Sequence, residues 1–360
     1  MLILATEGGS LSLGFIYILI AAVAGGAFGL QYRIMRKYTV ENSSLLSLFF
    51  ATIVVPLIAV QFILPGWTDA IRAVGWQQNL LVFGFGFGWG LGAITYAYGF
   101  NILGMALAAS LLKGITIAIG SGIPLLRRWD DAALGTDAKS ATVIGLVILI
   151  VGTAFASKAG SLREKELAEG GGDAPSADDG FMVQNPTGKI YMFGLIMCLI
   201  SGVLSSCANL GYDYAEPLEQ AMGEGLTWKA TLIRWMPMYW GGITALIVFM
   251  GGSMLRNGTW RNYFGVGSLR DFGVSSVMGA VHFLAQVPYG IGAFYLGTLG
   301  TTVGWGVNIG MALIVASSIG FALGEWKGVS KKAVNTLLLG IAILILAIGI
   351  LAYANNLVGS

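Results

Sequence analysis

Ten apolar runs, each long enough to cross a bilayer, fill almost all of this 360-residue chain. They lie at roughly 12–32, 44–64, 79–101, 105–126, 141–157, 190–210, 230–250, 273–296, 298–323 and 334–353. About 20 apolar residues cover the hydrocarbon core of a membrane. The expected fold is therefore an all-α integral membrane protein with ten transmembrane helices. Charged residues make up only 11% of the chain and the mean hydropathy is +0.77, values that exclude a soluble enzyme of this length.

Residues 158–188 break the pattern. SKAGSLREKELAEGGGDAPSADDGFMVQNPTG is polar, charged and rich in Gly, Ala and Ser, so it buries too little apolar surface to order itself and reads as a mobile cytoplasmic linker. It separates five spans from five spans, giving an expected division into 1–157, 158–188 and 189–360. An odd number of spans per half makes the second half enter the membrane from the opposite side. Equal halves of opposite polarity mark a 5+5 inverted-topology repeat, the plan of many secondary transporters. NILGMALAAS at the start of span 4 and FYLGTLGTTV at the start of span 9 echo one another weakly, as do Lys139 and Lys331 at the entrances of spans 5 and 10.

Of the 20 Lys and Arg residues, 13 fall in the loops after spans 1, 3, 5, 7 and 9, five fall on the opposite side, and Lys113 and Arg234 lie inside spans. The positive-inside rule puts the odd-numbered loops in the cytoplasm and both termini outside. The N-terminus shows no basic region and no small-residue cleavage site, so the first span is expected to act as the targeting element. The expected location is the plasma membrane, as in a bacterial inner membrane.

The net charge of +2 points to no nucleic-acid partner, and no enzyme or metal motif is present. GFGFGWG lacks the strand–loop–helix setting of a phosphate-binding loop, so neither cofactor nor metal is expected. The 54 glycines fit close helix packing in lipid, with Gly84, Gly88 and Gly92 on one helix face. Cys198 and Cys207 lie about 13.5 Å apart along one helix, on opposite faces, and cannot pair.

An inverted repeat places its substrate near the bilayer midplane, where a polar side chain is costly and marks function. Lys113 lies about nine residues into span 4 and calls for a wet cavity or a partner; it is read as a substrate or proton-coupling group, against a structural lysine bonded to backbone carbonyls. Arg234 lies nearer the outer end of span 7, with a cavity role set against snorkelling outward, and Pro237 three residues later disrupts the helix. His282, the single histidine, and Gln286 stand one turn apart in span 8; the first is a candidate proton carrier or a helix–helix hydrogen bond, and the second suits a sugar hydroxyl. Trp89, Tyr96 and Trp305 lie away from the interfacial belts and could stack on the C–H face of a pyranose, or simply pack. Asn308 extends the polar face of span 9. Asn209, with Ser205 and Ser206, more often glues helices than binds ligands. Glu41, Asp213, Glu216 and Glu325 all stand at span ends, so coupling is expected to run through His282, Lys113 or one of these boundary carboxylates, or to be absent.

WGLGAITYAYGFNILGM at 89–105, KAGSLREKE at 158–166, AEPLEQA at 215–221 and GEWKGVSKK at 324–332 together resemble the L-rhamnose–proton symporter family of the drug/metabolite transporter superfamily. The motifs are short, and the resemblance rests on their shared order and spacing over most of the chain. It implies alternating-access import of a 6-deoxyhexose or related monosaccharide with protons. Under it, Trp89 and Tyr96 belong to the span 3 motif and Gln286 matches a glutamine of span 8. Lys113 and Arg234 stand where the rhamnose carriers have uncharged residues, which suits an anionic sugar such as a uronate or an altered coupling scheme. An exporter or exchanger on the same plan is the alternative carrier. A sensor would need a folded signalling domain, and the linker is too short for one.

Overall fold

In a computed structural model the described residues are 11–27, 35–103, 105–169, 188–223, 227–322, 324 and 326–358, and they form helices and turns with no strand among them. The long helices are α1 (Leu11–Ala27), α2 (Val40–Ile63), α4 (Gly75–Leu103), α5 (Met105–Arg127), α6 (Thr136–Glu169), α7 (Gly188–Tyr214), α9 (Thr227–Asn257), α10 (Ser268–Leu296), α11 (Gly300–Ala322) and α12 (Lys331–Asn356). Short helices α3 (Trp67–Ala73) and α8 (Glu216–Ala221) lie between them. Among the described residues, six helical runs are long and apolar enough to cross a membrane, α10 and α11 counting as one continuous run. Exposed Leu, Ile, Val and Phe side chains coat these helices, as lipid-facing surfaces require.

Two helices are not uniform. α2 passes through a π-helix at Phe50–Val54, and α9 opens as a 3-10 helix at Thr227–Arg234 and passes through a π-helix at Ile247–Gly251. Pro56 supplies no N–H to Thr52, whose hydroxyl bonds back to Leu48 O at 2.6 Å; both loosen the α register there. Thr244 bonds back to Trp240 O at 2.7 Å just ahead of the second π-helix. Pro237 stands in the first turn after the 3-10 segment and has no N–H to give the preceding turn, at the place where α9 changes helix type.

Several helices match in length. α4 and α10 each have 29 residues, and α5 and α11 each have 23. Trp89 and His282 are both the fifteenth residue of their helices, and Lys113 and Asn308 both the ninth.

The chain forms two compact units, each drawn from both halves of the sequence: residues 1–90 with 208–308, and 91–207 with 309–360. In the first unit, α4 lies on α9 backbone to backbone. A Cβ on Gly86 would stand 1.8 Å from Met238 O, and one on Gly241 would stand 2.0 Å from Phe83 O. α10 meets α2 in the same way, Gly279 facing Ser47 O at 2.3 Å. At one end of this unit the Asp271 carboxylate accepts the backbone N–H groups of Arg36, Lys37 and Tyr38 at 3.1, 2.7 and 3.0 Å. Glu41 accepts from the hydroxyls of Ser253 and Thr259 nearby.

In the second unit, α6 packs along α12 through Gly145, Gly152 and Gly340. α6 runs on to Glu169, well into the stretch expected as linker, because Leu162–Leu167 are good helix formers and Glu166 caps α12 by accepting Ser330 N–H at 2.7 Å. The rest of that stretch, 170–187, lies outside the described residues. Cys198 and Cys207 are both free thiols.

Candidate functional site

The first unit contains an aromatic wall built from five helices. His282 of α10 stacks on Trp89 of α4, with ring centroids 6.4 Å apart and planes at 16°. Trp89 leans on Tyr239 of α9 at 6.5 Å, and Tyr239 stacks on Trp235 one turn earlier at 5.4 Å and 16°. Trp235 meets Tyr212 of α7 at 4.6 Å and Tyr289 of α10 at 6.0 Å. Tyr289 in turn meets Trp305 of α11 edge-on at 5.5 Å. Glycine makes this assembly possible: Gly242 lets the Trp89 ring come within 2.7 Å of where a Cβ would stand, and Gly290 lies 3.0 Å by the same measure from the Tyr212 hydroxyl.

Polar atoms are threaded through the wall. The hydroxyls of Tyr239 and Thr302, the Trp235 indole Nε1 and the Asn308 Oδ1 are buried without a hydrogen-bond partner among the described residues. Each such group costs roughly 1–3 kcal/mol unless a ligand or water satisfies it. Flat π-faces beside vacant donors and acceptors suit a molecule with an apolar C–H face and a hydroxyl rim. Asn209 of α7 is engaged: it donates from Nδ2 to Thr301 O at 2.8 Å and accepts the Tyr289 hydroxyl on Oδ1.

Trp89, Asn209, His282, Trp305 and Asn308, all singled out in the sequence, thus belong to one unit and mostly to one wall. Gln286 follows His282 by one turn of α10 and is half-buried. Arg234 neither snorkels nor stands free. It pairs with Glu219 of α8, both side chains largely buried, and its guanidinium lies 5.1 Å over the Tyr212 ring. Lys113 belongs to the second unit, half-buried on α5, with no hydrogen bond or ion pair to a described residue. Tyr96 is on α4, and its side chain lies outside the described residues.

Sequence reasoning passed over Tyr212, Trp235 and Tyr239; Tyr212 and Trp235 lie near span ends, and Tyr239, in mid-span, is one more aromatic of the run WMPMYW. Asp213 does stand at the end of its helix, as expected, but it is fully buried and accepts the Thr301 hydroxyl at 2.6 Å. Its i, i+4 spacing from Asn209, on one face of α7, was the available signal.

A family model described as L-rhamnose-proton symport protein matches residues 8–356. An L-rhamnose-proton symporter of Cronobacter sakazakii (strain ATCC BAA-894) is 23% identical over 366 residues, covering 96% of this chain and 99% of the relative. One from Yersinia pestis (strain Pestoides F) is 25% identical over 357 residues, covering 94% and 96%, and one from Yersinia pseudotuberculosis serotype O:1b (strain IP 31758) gives the same figures.

Proposed function

Because this chain belongs to the L-rhamnose-proton symport protein family, a family of membrane transporters and not of enzymes, we propose that it imports a neutral 6-deoxyhexose such as L-rhamnose together with protons. The observation that carries this reading is the aromatic wall with its vacant polar atoms. The methyl group and axial C–H bonds of a deoxy sugar lie against Trp89, Tyr239 and Trp235, while its hydroxyls meet Tyr239, Trp235 and Asn308. Gln286, one turn from His282 on α10, completes the proposed sugar shell within this unit.

The proposed architecture is ten spans in two inverted five-span repeats, 1–157 and 189–360, joined by the polar stretch after α6 and working by alternating access. The matched lengths of α4 with α10 and of α5 with α11, and the π-helices of α2 and α9, support it. The 13-to-5 division of Lys and Arg supports termini outside a bacterial plasma membrane.

A second reading rests on Lys113. Arg234 is neutralised by Glu219, but Lys113 meets no carboxylate among the described residues, and a uronate would supply one. Uptake by proteoliposomes under an imposed pH gradient tests both. Accumulation of L-rhamnose driven by an inward proton gradient is expected; transport of uronates in preference would favour the second reading, and transport of neither would sink the sugar reading.

A further inference from the structure

Asp213 is the one fully buried carboxylate of the aromatic region, and neither the wall nor the proposed sugar shell uses it. Burying an ionisable group inside a membrane protein is expensive and marks a functional group. Asp213 and Asn209 stand one turn apart on α7 and grip the same residue, Thr301, at the start of α11. Asp213 takes its hydroxyl at 2.6 Å and Asn209 takes its main-chain carbonyl at 2.8 Å. Asn209 Oδ1 in turn accepts the hydroxyl of Tyr289, whose ring packs on Trp235, Tyr212 and Trp305. A continuous run of hydrogen bonds therefore joins the carboxylate to the wall.

We propose that Asp213 is the group that takes up the co-transported proton, with Thr301, Asn209 and Tyr289 as the positioning residues that tie its charge state to the sugar site. This assignment rests on the symporter reading above and selects, among the coupling routes expected from the sequence, a boundary carboxylate over His282 and Lys113. In the charged state the carboxylate accepts from Thr301. On uptake, an oxygen lone pair of Asp213 forms an O–H bond with one proton and the charge is lost. The acid becomes a donor, and the Thr301 hydroxyl turns to accept from it. Thr301 and Asn209 are held together, so α7 and α11 both feel the exchange. Release returns the proton to water and restores the first arrangement. One proton moves per cycle.

The ionisable groups around Asp213 are Tyr212 beside it, Tyr289 reached through Asn209, and Arg234 with Glu219 and Glu216 on the far side of Tyr212. Arg234 is matched by Glu219 in a largely buried ion pair. The cluster lies at the end of the unit that carries α8, the end that the Lys and Arg distribution places outside. That is where an inwardly moving proton arrives.

The test uses the purified full-length chain. L-Rhamnose affinity, read by tryptophan quenching, is expected to weaken up to about tenfold per pH unit once Asp213 ionises, the slope of a single linked proton. Asp213→Asn is expected to flatten that slope and to abolish accumulation driven by a pH gradient. Thr301→Val, which removes the hydroxyl that links the carboxylate to α11, is expected to flatten the slope as well. A native slope in Asp213→Asn, or in Thr301→Val, would overturn the assignment. Infrared difference spectra between acid and neutral pH give a second readout that needs neither sugar nor transport. With any band from the equally buried Asp271, lost only in Asp271→Asn, counted apart, a carbonyl stretch of a buried protonated carboxyl present in the native chain should be lost in Asp213→Asn. Its presence without any rhamnose binding would retain the proton site while refuting the sugar reading; its persistence in the variant would refute the proton site alone.

Discussion

The contact between α4 and α9 offers a sharp test of what glycine does in this protein. Gly86 faces Met238 O with no room for a methyl group, since an added Cβ would stand 1.8 Å away. A relaxed carbon–oxygen contact is about 3.3 Å, so Gly86→Ala forces the two backbones apart by about 1.5 Å. No side chain can swing aside, because the obstructing atom is main chain. Overpacking costs about 1–3 kcal/mol, and a rigid obstacle belongs at the upper end of that range. Replacing a mid-helix glycine by alanine returns about 1 kcal/mol, leaving a net loss of about 2 kcal/mol. Gly84, two residues earlier on the same helix, is the control: a Cβ there meets nothing within 4 Å, so Gly84→Ala keeps only the helix-propensity gain. The two variants should therefore differ by about 3 kcal/mol in reversible unfolding from mixed micelles, Gly86→Ala being the weaker. Since Trp89 follows Gly86 by one turn and rests on Gly242, rhamnose uptake should fall with Gly86→Ala and persist with Gly84→Ala. Equal stability of the two variants would refute the backbone contact and the argument built on it.

Other outcomes follow from the polar contacts. Asp271→Asn removes the charge that holds the N–H groups of Arg36, Lys37 and Tyr38, and should destabilise the protein by about 1.5–3 kcal/mol in the same unfolding assay. Tyr289→Phe removes the donor to Asn209 while keeping the ring, so it should cost about 1–3 kcal/mol in stability and weaken rhamnose binding severalfold by isothermal calorimetry. Lys113→Met should leave rhamnose binding nearly unchanged under the neutral-sugar reading; a swing in preference from a uronate to its neutral counterpart would instead support the acidic-sugar reading. Reporter fusions at residues 170 and 360 should report cytoplasm and exterior respectively, and the same side for both would overturn the ten-span count.

Much of the fold was legible because lipid leaves the backbone few options. The expected span 273–296 and the helix Ser268–Leu296 end on the same residue, and 141–157 lies wholly within Thr136–Glu169. What hydropathy does not carry is hydrogen-bond register, so the π-helices of α2 and α9 left no trace in it. The extension of α6 past residue 157 depends on a tertiary cap, Glu166 on Ser330, that no local pattern encodes. The site divides along the same line. Trp89, His282, Trp305 and Asn308 were visible as polar or amphipathic residues in mid-span. Asp213 was visible only as one of four carboxylates at span ends; what sets it apart, its contact with Thr301, joins residues distant in sequence. Nor does any one-dimensional signal reveal that His282 lies face to face with Trp89.

That stack joins the fifteenth residues of two helices of equal length. In the two-fold arrangement proposed above, the rotation that carries α4 onto α10 carries the place of Trp89 onto the place of His282. A contact between those two places is its own image. The same rotation interchanges the inward-open and outward-open shapes of such a carrier. Contacts away from the axis must then trade partners during a cycle, Gly86 on Met238 exchanging roles with Gly279 on Ser47. The indole and the imidazole are exempt. In the proposed cycle they are its fixed point, and the proposed sugar, set against them, keeps the same neighbour whichever side of the membrane is open.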